Sequence, residues 1–145
     1  MAWNGKKEGN DAARPREYHE VPDGTYACWL NSFRVSDRPN SKGEDVKRVS
    51  LAFKVCEDAE AGQFIWDNFY LEREGEPVEK AVKAFEQKVC RMVEGYYHDP
   101  SASYESELQQ VVEMCKDRRF YVRKTTDDGF QRVYVQCECP RLGGR

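Results

Sequence analysis

Residues 48–71 read RVSLAFKVCEDAEAGQFIWDNFYL and decide the fold of this chain. In the first eight positions, large apolar residues alternate strictly with polar or small ones, which is the pattern of a strand with one face in a core. An acidic turn follows at 57–62. Residues 64–71 are rich in aromatic side chains, and both of their faces are apolar. Two successive strands are therefore predicted, and either a helix or a flat ligand is expected to cover the second face of the later one.

The chain before these strands predicts a flexible tail and one long strand. Residues 1–20 are polar and lack periodicity, so we expect a mobile tail. Val-Pro-Asp-Gly at 21–24 is a turn signal, and residues 25–35 form a strand that is apolar on both sides. Such a strand usually bends or bulges and serves two parts of a barrel. Residues 36–45, SDRPNSKGED, then predict a turn-rich loop.

A helical insert is predicted at residues 77–116. Pro77 suits the first position of a helix, apolar residues then recur at helical spacing, and Gly95 ends the pattern. A second helix is expected to follow a Ser103 cap and to run from 104 to 116. The apolar faces of both helices predict packing against the strands.

Two further strands are predicted at 119–124 and 130–137, with Asp-Gly at the end of the turn between them. Five strands with helices between the third and the fourth are the layout of a mainly β fold, the five-stranded antiparallel OB-type Greek-key barrel. One domain is expected over 21–139, followed by a short tail at 140–145. The exposed sheet face and the loops of such barrels bind single strands.

Composition and charge describe a polar, globular chain. Its 145 residues fit one domain, 39 % of them are hydrophobic, and no apolar run is long enough to cross a membrane. The N-terminus lacks the apolar segment of a signal peptide, so a cytoplasmic protein without a membrane partner is expected. The net charge of −3 argues against a generic basic DNA coat. Charge is nevertheless polarised, since residues 57–79 hold eight acidic and one basic residue, and residues 116–132 hold six basic and three acidic ones.

Neither catalysis nor a metal is expected. The two histidines, His19 and His98, have no catalytic signature around them, and no loop matches a phosphate-binding pattern. The six cysteines are expected to be free, mostly buried thiols in a reducing compartment. Cys137 and Cys139 form the one close pair in the sequence, and a zinc site that adds His98 stays as the alternative. We therefore expect no enzyme activity and no cofactor.

Three stretches in the first half of the chain carry a family resemblance. They are VPDGTYACWLNSFRVS, SKGEDVKRVSLAFKVCE and AGQFIWDNFYL, in that order between residues 21 and 71. With them the chain resembles phage-encoded single-stranded-DNA-binding proteins of the OB-fold type, found among replication and recombination genes. The resemblance implies an OB barrel that binds single-stranded DNA without strong sequence preference, has no catalytic residues, and works beside replication or recombination proteins. Many replicative members end in an acidic tail, whereas this chain ends in RLGGR, so recruitment by that route is not expected.

A nucleic-acid strand needs flat rings for its bases and cations for its phosphates. Both kinds of side chain alternate on the last two predicted strands, where Tyr121 and Tyr134 have charged residues at alternate positions. For the other aromatic residues, core packing is the competing interpretation. The predicted stacking residues are Trp29, Trp66, Tyr70, Tyr121 and Tyr134, and the predicted phosphate contacts are Arg34, Arg38, Lys42, Arg48, Arg119, Arg123, Lys124 and Arg132.

A protein-interaction module is the alternative to a DNA-binding role. The acidic segment 57–79 could imitate a phosphate backbone and so inhibit or recruit a host enzyme, or it could be a plain solvated face. A homodimer is also open, through an unpaired strand edge or through the apolar outer face of the third strand. The two roles make opposite predictions, because a single-strand binder retains oligonucleotides and an inhibitor does not.

Overall fold

The computed structural model describes residues 18–138, apart from the side chains of residues 137 and 138. The predicted tail residues 1–17 and 140–145 lie outside the described residues, as does Cys139. The chain forms β1 (Gly24–Pro39), β2 (Asp45–Val55), β3 (Phe64–Arg73), β4 (Glu76–Pro77), α1 (Glu79–Met92), α2 (Tyr104–Met114), β5 (Phe120–Asp127) and β6 (Phe130–Glu138).

The strands form one antiparallel sheet in the order β4-β3-β2-β1-β5-β6. The sheet curls into a half-barrel that two helices accompany, which confirms the predicted mainly β class. The helices lie in the chain between β4 and β5, so the predicted helical insert is also confirmed. Strand β1 is central, because it pairs with β2 from Cys28 to Pro39 and with β5 along its first five residues.

The sheet has six strands where five were predicted, because the chain reverses directly after β3. Glu74 and Gly75 have positive φ values of 52° and 79°, as a two-residue type I′ turn requires. The turn brings Glu76 and Pro77 back onto the end of β3 as the edge strand β4, where a proline is tolerated. The prediction that Pro77 begins a helix is therefore wrong, and α1 begins at Glu79.

Strand β1 is bulged, as its two apolar faces predicted. Its register with β2 shifts between Leu30 and Ser32, which makes Asn31 an extra residue. Beyond this bulge Phe33 and Val35 pack against the core that Leu30 joins before it. The bulge therefore explains how the even-numbered Leu30 and the odd-numbered Phe33 and Val35 reach the same side of the sheet.

The predicted loop at 36–45 is shorter in the structure, where strands take up all but residues 40–44. The side-chain oxygen of Asn40 accepts hydrogen bonds from the backbone N–H groups of Lys42 and Glu44, each at 2.9 Å. An asparagine that binds the backbone in this way stabilises a tight turn. The turn therefore joins β1 and β2 as a short hairpin connection.

The core lies on the inner face of the sheet, against the two helices. Each large side chain buried there contributes about 1.5–3 kcal/mol relative to an exposed one. The core residues include Val49, Leu51, Phe53 and Val55 of β2, Phe85, Val89 and Met92 of α1, and Leu108 and Val111 of α2.

Helix α2 begins at its predicted cap but ends earlier than predicted. The Ser103 hydroxyl accepts a hydrogen bond from the backbone N–H of Ser106 at 3.1 Å, so the predicted cap of α2 is confirmed. The helix ends at Met114, two residues before the predicted end.

Polar side chains of α1 bridge the gap between β3 and β6, which do not pair with each other. The Lys88 ammonium lies 2.7 Å from the Asp67 carboxylate of β3 and also donates a hydrogen bond to the Val133 carbonyl of β6. Arg91 donates to the Val135 carbonyl at 3.3 Å. Helix α1 thus satisfies carbonyl groups of β6 that would otherwise invite another strand.

A side-chain hydrogen bond also joins β3 and β6 directly. The side-chain amide of Gln131, near the start of β6, donates to the Trp66 carbonyl of β3 at 2.7 Å. At the other end of the sheet, the edge strand β4 is two residues long. Short edges and satisfied edge carbonyls both resist edge-to-edge pairing. A homodimer stays a prediction, and these contacts do not favour one that uses a strand edge.

Burial gives Asp67 a pH dependence that can be measured. Burial raises the pKa of Asp67 from 3.8 to about 6, although the Lys88 ammonium acts in the opposite direction. The folded state therefore keeps its proton in a range where the unfolded state loses it, and stability must fall as pH rises through this window. From pH 4 to pH 6.5, we expect Asp67 to lower the unfolding free energy by about 2 kcal/mol, because one pKa unit corresponds to about 1.4 kcal/mol and this range covers most of the shift.

Urea unfolding of the wild type and of Asp67→Asn across this pH range checks the prediction. The difference between the two unfolding free energies isolates the carboxyl group from all other titrations. We expect this difference to shift against the wild type as pH rises. A difference that stays constant, or shifts in the wild type's favour, contradicts the assigned direction of the Asp67 pKa.

Residues 18–20 pack against the domain, although the predicted tail includes them. The Tyr18 and Phe64 rings lie 5.6 Å apart between centroids. The His19 side chain lies 2.6 Å from the Glu60 carboxylate. The predicted boundary between tail and domain is therefore too late in the sequence, because polar composition alone does not exclude such contacts.

Candidate nucleic-acid interface

The outer face of the sheet, opposite the core, carries rings and cations on β1, β2 and β3. At one end of this face, Trp29 pairs with Lys54, and Lys54 pairs with Phe64. At the other end, Arg48 pairs with Tyr70. The outer face therefore offers both flat surfaces and positive charge along its whole length.

An arginine and a tryptophan meet over the middle of the outer face. The Arg34 guanidinium lies 5.3 Å from the centre of the Trp66 ring, within cation–π range. Between them on β2 lie Ser50 and Ala52, which are buried, and Ser50 donates a hydrogen bond to the Asn68 amide oxygen at 2.5 Å. Because both residues are buried, the middle of β2 offers no open strip to a flat ligand. Trp66 itself is 37 % exposed and presents part of its ring to solvent.

A second aromatic group lies where β3 begins. Trp29 is 40 % exposed, and the Lys54 ammonium lies 5.9 Å from the centre of the Phe64 ring. The Phe64 and Trp66 rings are 6.2 Å apart between centroids. Phe64 was not among the predicted site residues, although its position, two residues before Trp66, places it on the same face.

The β5–β6 hairpin presents the cluster on which the DNA-binding prediction depends. Tyr121 and Tyr134 are 37 % and 38 % exposed. The Arg123 guanidinium lies 5.1 Å from the centre of the Tyr134 ring, and the two residues are cross-strand partners. Val122 and Val135 point into the core from the opposite side. The predicted alternation on these strands is confirmed.

The hairpin cluster and the outer face belong to one continuous surface. Tyr121 pairs with Ala27 of β1, and Trp29 follows two residues later on the same side of that strand. Arg123 pairs with Thr25 in the next row. A ligand that crosses from the hairpin to β1 therefore passes from the tyrosines to Trp29 without leaving the outside of the sheet.

Lys124 is misplaced in the predicted set of phosphate contacts. It is buried, and its ammonium donates to the Val21 carbonyl and lies 3.1 Å from the Glu20 carboxylate. The reason is the period of two along β5, which puts residue 124 on the same inward side as Phe120 and Val122. An ammonium that is already satisfied inside the protein is not free to contact a phosphate.

Arg119, Arg132 and Lys42 lie at the margins of the surface. Arg119 forms an ion pair with Glu57 at 3.2 Å and precedes the first residue of β5. Arg132 is exposed on β6, opposite Thr125, and Lys42 is exposed in the β1–β2 turn. Two of these three cations therefore remain accessible, and the third already has a carboxylate partner.

The remaining predicted residues meet in a groove at the far end of the outer face. Arg38, Arg48 and Tyr70 line this groove, whose volume is about 690 Å³. Arg73 lines it too, and sequence reasoning missed this residue. Simple alternation along β3 would turn position 72 outward, but the register with β2 shifts at Leu71 and brings residue 73 to the outer face instead.

The acidic segment 57–79 does not act as one free negative face. Glu57 pairs with Arg119, and Glu60 with His19. Asp67 faces inward to Lys88. Since two of these carboxylates have cationic partners within the fold and the third contacts a histidine, phosphate imitation by this segment gains no support from the contacts.

The zinc site considered for the sequence lies partly outside the described residues, since neither the Cys137 side chain nor Cys139 is described. No group of three or more His, Cys, Asp or Glu side chains within 18–138 is placed to hold a metal. His98, the considered zinc ligand, stacks on Tyr104 at 4.0 Å and binds the Glu107 carboxylate at 2.8 Å. No helix in this part of the chain is long and apolar enough to cross a membrane. Among the cysteines of this part of the chain, Cys28 and Cys115 are buried, and Cys56 and Cys90 are partly buried.

Comparison with known proteins adds no family assignment. No protein-family model matches the sequence, and no curated protein matches it. The resemblance to phage single-stranded-DNA-binding proteins therefore rests on the three quoted stretches between residues 21 and 71.

Proposed function

We propose that this protein is an OB-type barrel that binds single-stranded DNA without strong sequence preference and supports phage DNA replication or recombination. The observation that carries the proposal is the exposed cluster of Tyr121, Arg123 and Tyr134 on the β5–β6 hairpin. Stacking platforms beside cations are the common feature of proteins that hold unpaired strands.

The strand order supports the barrel part of the proposal. Without the short β4, the order is β3-β2-β1-β5-β6, and the first strand lies between the second and the strand that follows the helices. Closing this sheet between β3 and β6 would give a five-stranded Greek-key barrel. In this protein, Lys88 and Gln131 bridge those two strands with side chains.

The energetics suit binding without sequence preference. Each base stacked on an aromatic side chain contributes about 1–3 kcal/mol, and every base has a face that can stack. The five predicted rings are each at least partly exposed, so three simultaneous stacks are sterically plausible. Together with about four phosphate contacts, three stacks suffice for a dissociation constant near or below 1 μM after ordering costs.

A fluorescence-anisotropy titration tests the proposal directly. We expect a labelled single-stranded oligonucleotide to bind more tightly than the matching duplex, because paired bases cannot stack on side chains. Affinity should fall as salt rises, with a log–log slope of about −0.7 for each phosphate contact on a single strand. Oligonucleotides of different base composition should bind with similar affinity.

The opposite result would favour the interaction module. If neither single nor double strands bind at low salt, the DNA-binding proposal fails. Equal binding of both forms would also count against it, because plain charge attraction would then explain the affinity. A host protein that co-purifies with the chain under the same conditions would then make inhibition or recruitment the better hypothesis.

A further inference from the structure

Three arginines surround one valine at the far end of the outer face. Arg38 of β1 and Arg73 of β3 are the cross-strand partners of Val46 in β2, one on each side. Since neighbouring strands are about 4.8 Å apart, the two arginine Cα atoms are separated by about 10 Å. Arg48 follows two residues after Val46 on the same face. Three guanidinium groups can therefore approach a single point above the valine.

The positive charge of this groove is only partly compensated. Neither Arg38 nor Arg48 takes part in any of the ion pairs found among residues 18–138. Arg73 has a distant partner, since its Nε lies 4.0 Å from a Glu44 carboxylate oxygen. Glu72 is the acidic residue that lines the groove. The groove therefore keeps an excess of cations that an anion would neutralise.

An aromatic ring completes the groove. Tyr70 lines it beside Arg48 and is 53 % exposed. Val78 and the start of the β1–β2 turn at Asn40 form further parts of the wall. With a volume of about 690 Å³, the groove has room for a base on Tyr70 and a phosphate among the arginines.

We infer that this groove binds the terminal nucleotide of a strand that ends in a phosphomonoester. At neutral pH a phosphomonoester carries a charge of about −1.5 to −2, whereas an internal phosphodiester carries a single charge. Two arginines outside the ion pairs of residues 18–138, with a third nearby, match the doubly charged group better, and arginine binds phosphate oxygens in a bidentate manner. This inference rests on the proposed function, to which it adds recognition of a strand end. A free nucleoside monophosphate presents the same chemistry.

Oligonucleotides that differ only at their ends test the inference. The probes are an internally labelled strand with two hydroxyl ends and the same strand with a phosphate at its 5′ or its 3′ end. We expect one of the phosphorylated strands to bind at least fivefold more tightly than the hydroxyl strand. The Arg38→Gln/Arg48→Gln variant should lose this ratio, and Lys83→Gln, an exposed change on α1, should keep it.

A second measurement separates this inference from the proposed function. Thymidine monophosphate and thymidine are titrated into the isotope-labelled protein, and amide signals are followed by NMR. The monophosphate should shift signals around Val46 and Tyr70, thymidine should do so much less, and the arginine variant should show neither response. Its unchanged remaining spectrum would show that the variant is folded.

The outcomes are distinct. If strands bind but their end groups make no difference and the monophosphate shifts no groove signals, the inference is overturned and the proposed function stands. An end preference that persists in the arginine variant also overturns it, because the site then lies elsewhere. If the monophosphate binds the groove but no oligonucleotide binds, the proposed function fails and the groove is a site for free nucleotides, which overturns the strand-end assignment.

Discussion

Replacing both Tyr121 and Tyr134 by alanine is expected to weaken binding of a single-stranded oligonucleotide at least tenfold. Each stacked base is worth about 1–3 kcal/mol, so the loss of two stacks removes about 2–6 kcal/mol before any compensation by neighbouring contacts. Both rings lie on the outside of the β5–β6 hairpin. Their removal leaves no cavity in the core, so the fold should persist. Anisotropy titration measures the affinity, and circular dichroism checks the fold.

Tyr97→Ala is the matched control for the double variant. Tyr97 is 71 % exposed, more than either hairpin tyrosine, but it lies in the connection between α1 and α2. We expect its replacement to leave the affinity unchanged. Unchanged affinity in the folded double variant would place the stacking surface elsewhere, with Trp29 and Trp66 as the next rings to replace. An equal loss in Tyr97→Ala would show that the effect is not specific to the hairpin.

Lys88→Met is expected to destabilise the protein by about 3–5 kcal/mol, the usual cost of leaving one partner of a buried ion pair alone. The Lys88 ammonium bridges the Asp67 carboxylate of β3 and the Val133 carbonyl of β6. Methionine keeps the length and the helix propensity of the side chain but supplies no donor. Both oxygens would then lose this partner. Urea unfolding at pH 7 measures the loss.

Two further variants show whether the ion pair is the cause. Lys83→Met makes the same change at an exposed position of α1 and should alter stability by no more than about 0.5 kcal/mol. Adding Asp67→Asn to Lys88→Met removes the buried carboxyl group left without its partner and should recover part of the loss, because replacing both members of a buried pair is often close to neutral. If the double variant is no more stable than Lys88→Met, the Asp67 charge is not what the lysine compensates.

Local patterns predicted the strands well where one face is buried. The alternation in β2 identified Val49 and Phe53 as core residues, and the alternation in the hairpin put Tyr121 and Tyr134 outside. The Asp-Gly turn between β5 and β6 was also recognised, and Asp128 and Gly129 have the positive φ values of 52° and 80° that it implies. Such patterns are readable because neighbours in sequence are enough to produce them.

A turn of the same geometry was missed because its first residue is unusual. Glu74 and Gly75 adopt φ values close to those of the Asp-Gly turn. Glutamate is not one of the residues that mark type I′ turns, so no turn was predicted here. The sequence instead favoured a helix that begins at Pro77. The hairpin onto β3 overrode this local preference by pairing Glu76 and Pro77 with the end of that strand.

The wrong inclusion of Lys124 at the predicted interface and the omission of Arg73 have different origins. Lys124 could have been excluded from the sequence, since the period of two that places Tyr121 and Arg123 outside also places Lys124 inside. Arg73 could not have been found in this way. An irregularity at Leu71 shifts the alternation by one residue, so that odd-numbered instead of even-numbered residues face outward after it. A bulge is a property of two strands in register, and one strand's pattern does not reveal it.

Local sequence patterns in this chain were enough to establish a mainly β domain with an inserted pair of helices, and to mark which strand faces are apolar. Only the tertiary structure decided which residues distant in sequence come into contact. Lys88 reaches both Asp67 and Val133, and Arg38 comes together with Arg73. Residues so far apart in sequence come together through pairing register and helix packing. These depend on the free energy of the whole core, and no segment carries that information by itself.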